Sequence, residues 1–161
     1  MVPSLLLLLA SQAADADRSH AASLVFCEAP PGHYDTQPVP NGSLAGVSAR
    51  VRLIEVKPDA TWWPAAGIVF KVIGLPTHVG VQVFVDPNHP KQLTVGLRKP
   101  LDDRPVVLMR SPRDAEIVVR AAVQGRVLTV WAGSKVQSLR LKNDVEPPIL
   151  MCSSGSFEFA F

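Results

Sequence analysis

VGVQVFV, residues 79–85, places a valine at every second position. Side chains of a β-strand point alternately to its two faces, so this period predicts a strand with one face in a hydrophobic core. The same alternation continues on both sides of this run. It predicts further strands over residues 47–53, 68–72, 93–97, 106–109, 116–121, 126–131, 135–141, 149–152 and 157–161. A short apolar run over residues 23–28, which contains Cys27, predicts an N-terminal strand.

Turn-forming residues separate these segments. The 161 residues include 15 prolines and 10 glycines, which favour many short strands over long helices. The sequence therefore predicts an all-β fold of about ten to twelve antiparallel strands, a sandwich or a barrel. Residues 29–43, with four prolines, are expected to form an extended loop.

One segment is ambiguous between helix and strand. Ser111-Pro112 begins like a helix, with a serine cap and proline at the first helical position. The β-branched run Ile117-Val118-Val119 and the turn at Gln124-Gly125 instead favour a strand. We expect a strand, with at most one helical turn at 112–115 before it.

The strand rhythm resembles that of the concanavalin A-like jelly rolls, the fold of lectin and laminin-G-type domains. The likeness covers about residues 45–161 and is carried by 66–72, 79–86, 93–97 and 115–133. It implies an antiparallel β-sandwich of jelly-roll type, in which the last strand, 155–161, pairs near the N-terminal strand. The Glu-x-Asp-x-x-Glu acid motif of the glucanases in that superfamily is absent, so the resemblance implies a binding or structural member.

Residues 1–16 have the features of a secretory signal. Five leucines, 5–9, precede a run of small residues, and the apolar stretch is shorter than the roughly 20 residues of a membrane span. No lysine or arginine precedes the leucines, which leaves an N-terminal arm of a cytosolic protein as the alternative. We expect a signal over 1–16, a disordered arm over 17–22 and a single domain over 23–161, in a secreted or periplasmic protein without a membrane span.

Cys27 and Cys152 are the two cysteines of the chain. In an exported protein an even and minimal count predicts one disulfide. This disulfide would close a loop spanning 125 residues. Loop-closure entropy then adds on the order of 4–5 kcal/mol to the free energy of unfolding.

Trp62 and Trp63 are the candidate ligand-binding residues. They lie in a loop between Pro58 and Pro64. Adjacent side chains of an extended segment point in opposite directions, so one ring can enter the core while the other stays at the surface. An exposed indole stacks on the apolar face of a sugar ring. The alternative is that both rings only cap the end of the sandwich.

The residues that could bind a metal are not arranged in a recognisable motif. Asp86 and His89 share a turn, and His78 stands apart, but no second ligand follows at metal-site spacing. Asp102-Asp103, beside Arg104, has the pattern of a solvated turn rather than of a calcium site. We expect no metal and no cofactor.

Catalytic motifs are likewise absent from the sequence. There is no Gly-x-Ser-x-Gly elbow, and the cysteines are expected to be oxidised. Hydrolysis of a glycosidic bond needs two carboxylates about 5–10 Å apart. The candidates fall on different predicted strands and loops: Glu55, Asp59, Glu116 and Glu158. We assign no catalytic residues.

The net charge of +2 is mild, and the arginines are scattered along the chain. A basic stripe with interleaved aromatics is missing, which argues against nucleic acid as a partner. The sequence favours an exported, non-catalytic binding module, with carbohydrate as the first ligand class to test. Two alternatives remain: a structural or assembly protein that meets a cell-envelope protein, and a small glycan-active hydrolase. A continuous apolar patch outside the core would favour assembly.

Overall fold

The computed structural model describes residues 23–59, 61–102 and 104–161. The expected signal sequence (1–16) and arm (17–22) lie outside the described residues, as does Asp103. The described residues form ten strands and no helix: β1 (Leu24–Pro38), β2 (Val47–Val56), β3 (Ala65–Lys71), β4 (His78–Phe84), β5 (Gln92–Arg98), β6 (Val106–Pro112), β7 (Ile117–Gln124), β8 (Val127–Ala132), β9 (Lys135–Arg140) and β10 (Ile149–Ala160).

All the strand pairings are antiparallel, and the strand order is β6-β5-β4-β3-β10-β2-β7-β8-β9, with β1 also paired to β10. The first part of β10, Ile149–Ser153, pairs with β3, and the second part, Gly155–Ala160, pairs with β2. Between them Ser154 has a positive φ of 46°, where the strand bends from one layer into the other. Strands β3 to β6 form layer A, and β2 with β7 to β9 form layer B.

The two layers pack face to face as a β-sandwich of jelly-roll type. Strand β4 of layer A contacts β7 and β8 of layer B. The core consists of the inward-facing side chains that the alternation predicts, such as Val79, Val81 and Val83 of β4. Phe157 and Phe159 of β10 are among its largest fully buried side chains. The all-β antiparallel fold expected from the sequence is confirmed.

Strand β1 follows β10 through the bend. Leu24–Ala29 pairs with the second part of β10 and Tyr34–Pro38 with the first, while residues 30–33 leave the register. The expectation of a loop over 29–43 was therefore wrong as far as Pro38. The prolines of this segment are compatible with a strand because they lie at the bend and at the strand end, on an edge strand, where few backbone N–H groups are needed for pairing.

The disulfide joins the two ends of the fold. Cys27 and Cys152 are both buried, their sulfurs are bonded, and their Cα atoms lie 6.0 Å apart. In the β1–β10 ladder Cys27 is opposite Phe157, and Cys152 is opposite Asp35. The disulfide therefore does not connect directly paired residues. It crosses between the part of β1 that extends layer B and the part of β10 that extends layer A.

Several links between strands meet at the bend of β1 and β10, which we call the bend end. The β2–β3 link is tied to the bend, because Lys57 N donates to Ser154 O at 2.9 Å. The β4–β5 link is tied to the β2–β3 link, because Val85 N donates to Pro64 O at 2.9 Å. Among the described residues no helix is long and apolar enough to cross a membrane.

Candidate ligand-binding site

The link between β2 and β3 holds Trp62 through a short turn. One carboxylate oxygen of Asp59, Oδ1, accepts hydrogen bonds from the backbone N–H groups of Thr61 at 2.8 Å and Trp62 at 2.9 Å. An aspartate that binds the backbone two and three residues ahead fixes a local turn without help from a strand ladder. The backbone at Trp62 is therefore held by its own neighbour.

Trp63 anchors the same link to layer A. Its carbonyl oxygen accepts a hydrogen bond from Ser153 Oγ at 2.8 Å. Its ring packs against Phe84, with ring centroids 5.8 Å apart and planes inclined by 26°. Because Phe84 is buried, this contact ties the loop to the sheet rather than to solvent. Trp63 is thus placed as a packing residue.

Trp62 points the other way and stacks on Tyr34. The two ring planes are within 4° of parallel and their centroids lie 5.6 Å apart, an offset-stacked geometry. The residues keep 38% and 59% of their surface exposed, respectively. Neither residue is buried, so both leave surface open to a ligand. We call Tyr34 and Trp62 the aromatic platform.

Sequence reasoning missed Tyr34, the other half of this platform. It follows the irregular residues 30–33 of β1 and lies opposite Ser153 of β10. The segment was expected to be loop, so no contact with the β2–β3 link was foreseen. The available signal was that the only tyrosine of the chain lies in a proline-rich stretch.

The bend of β1 and β10 supports the platform from below. Gly32 N donates a hydrogen bond to the buried Ser154 Oγ at 3.1 Å. Gly32 has a φ of +71°, and a Cβ at this position would lie 3.1 Å from Asp59 Oδ2. A glycine therefore allows both the backbone conformation and the close approach to Asp59. Lys57 and Glu28 form an ion pair across the same region.

An open cleft of about 370 Å³ lies between the end of β2 and the turns that follow β4 and β6. One side is apolar, and the other carries two basic residues and one acidic residue. The lining residues are Leu53, Ile54, Val56, Lys91, Pro112, Arg113 and Asp114. A single carboxylate among them does not provide the pair that glycosidic hydrolysis requires.

Asp86 and His89 are brought together in the turn after β4. His89 Nδ1 lies 3.1 Å from Asp86 Oδ2, and Arg110 Nη2 lies 3.8 Å from the same oxygen. The backbone N–H of Asn88, which donates to Asp86 Oδ1 at 2.9 Å, is the main cause that lowers the pKa of Asp86. Asp86 thus stays ionised and stabilises the turn.

The other histidine named from the sequence, His78, lies at the opposite end of β4 from this turn. Its pKa is lowered first by burial and then by the charges of Arg98 and Lys71. The single group of three potential metal ligands among the described residues is Cys27, Asp35 and Cys152. Its two sulfurs are joined in the disulfide, so they are not free to bind a metal.

The four candidate carboxylates are not gathered at one site. Glu158 pairs with Arg52 at 3.0 Å and Glu116 with Arg50 at 3.8 Å, both on the outer face of layer B. Asp59 caps the turn at Trp62, and Glu55 lies opposite Ser156 in the β2–β10 ladder. Of the Asp102-Asp103 pair the described member, Asp102, is exposed.

Comparison with solved structures finds proteins with a similar arrangement of strands. A carbohydrate-binding module from Bacillus subtilis is 9% identical, with a TM-score of 0.42 over 71% of this chain and 70% of that one. A β-glucanase from Bacillus licheniformis is 6% identical, with a TM-score of 0.47 over 89% and 80%. An alginate lyase from Pseudomonas aeruginosa is 14% identical, with a TM-score of 0.45 over 71% and 60%.

All three likenesses have identities of at most 14% and TM-scores of at most 0.47. At such identities and scores they carry no argument about function. No protein-family model matches the chain, and no curated protein matches its sequence.

Proposed function

We propose that the protein is a non-catalytic carbohydrate-binding module whose sugar contact is the aromatic platform of Tyr34 and Trp62. The observation that carries the proposal is the parallel stacking of these two partly exposed rings. The C–H groups on one face of a pyranose form an apolar surface of about the size of an indole. Stacking on the platform would remove both surfaces from water.

Rigidity of the platform supports a binding role. Asp59 fixes the backbone at Trp62, Ser153 holds the carbonyl of Trp63, and Ser154 accepts from Gly32 beside Tyr34. A preformed surface loses little conformational entropy when a ligand binds, so more of the contact energy remains as affinity. Because the two rings are held parallel to each other, they can stack on the flat face of a ligand such as a sugar ring.

The lack of catalysis is part of the proposal and rests on the carboxylates. Glu116 and Glu158 lie on the outer face of layer B, away from the platform, and Asp59 is engaged with the backbone. In the open cleft between the end of β2 and the turns that follow β4 and β6, Asp114 is the only acidic lining residue. We therefore propose that neither the platform nor the cleft supplies a carboxylate pair for acid–base or nucleophilic work on a glycosidic bond.

Export is also proposed, since the disulfide fits an oxidising compartment. We propose that the signal covers residues 1–16 and that the mature domain comprises 23–161 after a short arm. Sequencing the N-terminus of exported protein would test this directly, with a mature start near Ala14 or Asp17 as the expected result. Recovery of the protein only in the cytosol, with Met1 intact, would refute export.

Affinity electrophoresis through gels containing soluble neutral polysaccharides tests the binding proposal. We expect at least one of them to retard the protein, and the substitution Trp62→Ala to abolish this retardation. Trp131→Ala is the matched control, because Trp131 lies on the outer face of layer B, opposite Arg120 and Val136. It is expected to leave retardation by neutral glycans unchanged.

The outcomes that would reject the binding proposal are equally definite. Equal retardation of the Trp62→Ala and unsubstituted proteins by a retarding glycan would exclude the platform as the site. Free mobility of the unsubstituted protein in every gel of a broad panel, including β-glucans, xylans, mannans and fructans, would exclude neutral carbohydrate as the ligand class. Thermal unfolding of each variant verifies that it is folded.

A further inference from the structure

The outer face of layer B carries three arginines and a tryptophan in an oblique line. Arg52 and Arg50 alternate along β2, Arg120 lies on the neighbouring β7, and Trp131 is its direct partner on β8. Residues two apart on a strand are about 6.8 Å apart, and diagonal neighbours on adjacent strands are about 7–8 Å apart. We call Arg52, Arg50 and Arg120 the arginine stripe.

Arg120 is oriented by an aromatic ring rather than by an acid. Its guanidinium carbon lies 4.7 Å from the ring centroid of Trp131, a cation–π contact. Among the described residues no carboxylate lies within 4.0 Å of its nitrogens. The guanidinium is thus placed by the indole while its N–H donors remain available to an anion.

The other two arginines have carboxylate partners, of which Glu116 is exposed and Glu158 is largely buried. The Arg50–Glu116 pair is loose, with 3.8 Å between nitrogen and oxygen and about half of each side chain exposed. Arg52 contacts Glu158 at 3.0 Å and is also about half exposed. An exposed pair such as Arg50–Glu116 contributes little to stability, so exchanging Glu116 for a carboxylate on a ligand costs little. Glu158, with 15% of its side chain exposed, keeps its ion pair with Arg52, and the ligand meets the exposed half of Arg52.

We infer that the arginine stripe is a second binding site and that its ligand is an acidic polysaccharide, held through the carboxylates of its uronic acid units. The planar guanidinium group can donate two parallel hydrogen bonds to the two oxygens of a carboxylate, and we call this pair of N–H donors the fork. A row of three arginines suits a linear polymer with one charge at regular intervals. The exposed Val118 and Val136, beside the stripe and Trp131, offer apolar surface to the sugar C–H groups.

This site is independent of the aromatic platform. The stripe lies on the open face of layer B, whereas Tyr34 and Trp62 lie at the bend end. A protein that fails to bind neutral glycans but binds a polyuronate would retain this inference and lose the proposed function. The reverse result would retain the proposed function and lose this inference.

Titration of the purified protein with soluble polygalacturonate at low ionic strength tests the inference. We expect saturable binding that weakens as NaCl is added, because salt screens exposed charges. Arg120→Ala removes charge-assisted hydrogen bonds and is expected to weaken binding about tenfold. Arg120→Lys keeps the charge but not the fork and is expected to lose several-fold in affinity.

Arg104→Ala is the control for net charge. It removes the same charge from an exposed position between β5 and β6, on layer A, and is expected to change the affinity less than twofold. Trp62→Ala is expected to have no effect on this titration. Thermal unfolding shows whether each variant is folded.

Four results would overturn the inference. The first is the absence of saturable binding to polygalacturonate. The second is an equal loss of affinity in Arg104→Ala and Arg120→Ala, since attraction by net charge alone would then explain the binding. The third is full affinity in Arg120→Lys, which would remove the role of the fork. The fourth is equal or tighter binding of duplex DNA or dextran sulfate, which would assign the stripe to another class of polyanion.

Discussion

At the scale of single residues, Thr94 shows a local cost within the sheet. It is fully buried between Phe84 of β4 and Arg110 of β6, and its hydroxyl has no hydrogen-bond partner among the described residues. A buried hydroxyl without a partner loses the hydrogen bonds that it makes to water in the unfolded chain. The backbone of β5 is paired on both sides at Thr94, but the side-chain oxygen of Thr94 gains no hydrogen bond there.

The substitution Thr94→Val replaces the orphan hydroxyl by a methyl group of similar size. We expect it to raise the free energy of unfolding by about 1 kcal/mol and the melting temperature by about 2–4 °C. Thr129→Val is the control, because the Thr129 hydroxyl lies 3.0 Å from Ser138 Oγ on an outer face. Thermal unfolding measures both. A lower melting temperature for Thr94→Val would mean that its hydroxyl is satisfied in solution.

At the scale of elements, the β2–β3 link is the part of the fold on which the platform depends. Asp59 is a positioning residue here, because it binds the backbone of Trp62. Asp59→Ala removes the acceptor, and we expect several-fold weaker glycan binding without a matching loss of stability. Asp59→Asn keeps an oxygen in the same place and is expected to restore binding. Titration of both variants with the glycan that retards the protein in electrophoresis measures the two affinities.

A result in which Asp59→Asn binds as weakly as Asp59→Ala would contradict this role. It would indicate that the negative charge, and not the turn, matters for the ligand. Unchanged binding in Asp59→Ala would show that the neighbouring prolines and Trp63 suffice to hold the loop.

Prediction from the sequence succeeded for elements whose pattern is local. Alternation located β2 to β9, although only β2, β7 and β8 bury one face alone, whereas β3, β4 and β5 are buried on both faces. Sequence prediction also located the beginning of β1, where a strand over 23–28 was expected, but it failed for the rest of β1 and for the middle of β10. Prolines 30, 31 and 38 resemble loop residues, and Ser153–Gly155 resembles a turn, whereas the structure continues both strands through a shared bend. The structure of these regions is determined by pairing between segments that are distant in the sequence, and a local pattern does not predict such pairing.

The candidate site was predictable to the same extent. Alternation along an extended segment was the basis for expecting different surroundings for Trp62 and Trp63, whereas in the structure Trp62 lies in a turn held by Asp59, with its ring on Tyr34, and Trp63 packs against Phe84. The stacking of Tyr34 on Trp62 depends on the bend, so it could not be derived from either segment alone. The same holds for Arg120 over Trp131, which depends on the register between β7 and β8.

At the scale of the whole molecule, the disulfide joins the two layers across β1 and β10, the strands that both layers share. Cys152→Ser removes the cross-link that closes a loop spanning 125 residues in the unfolded chain. We expect the free energy of unfolding to fall by about 2–5 kcal/mol and the melting temperature by several degrees. Thermal unfolding with and without reductant is the measurement. The reductant is expected to destabilise the unsubstituted protein but not the variant.

Equal melting temperatures for Cys152→Ser and the unsubstituted protein would show that the pair is not bonded in solution. Free thiols, detected by alkylation and mass measurement of the unfolded protein, would show the same and would remove one support for export.

The central claim is that Trp62, stacked on Tyr34, contacts a sugar. The most direct measurement is a fluorescence titration of the variant Trp63→Phe, Trp131→Phe, in which Trp62 is the only tryptophan left. Titration with the glycan that retards the protein is expected to give a saturable change in emission, abolished by the further change Tyr34→Ala. Unchanged emission at saturating glycan, with binding intact by electrophoresis, would show that the ligand lies elsewhere and would contradict the claim.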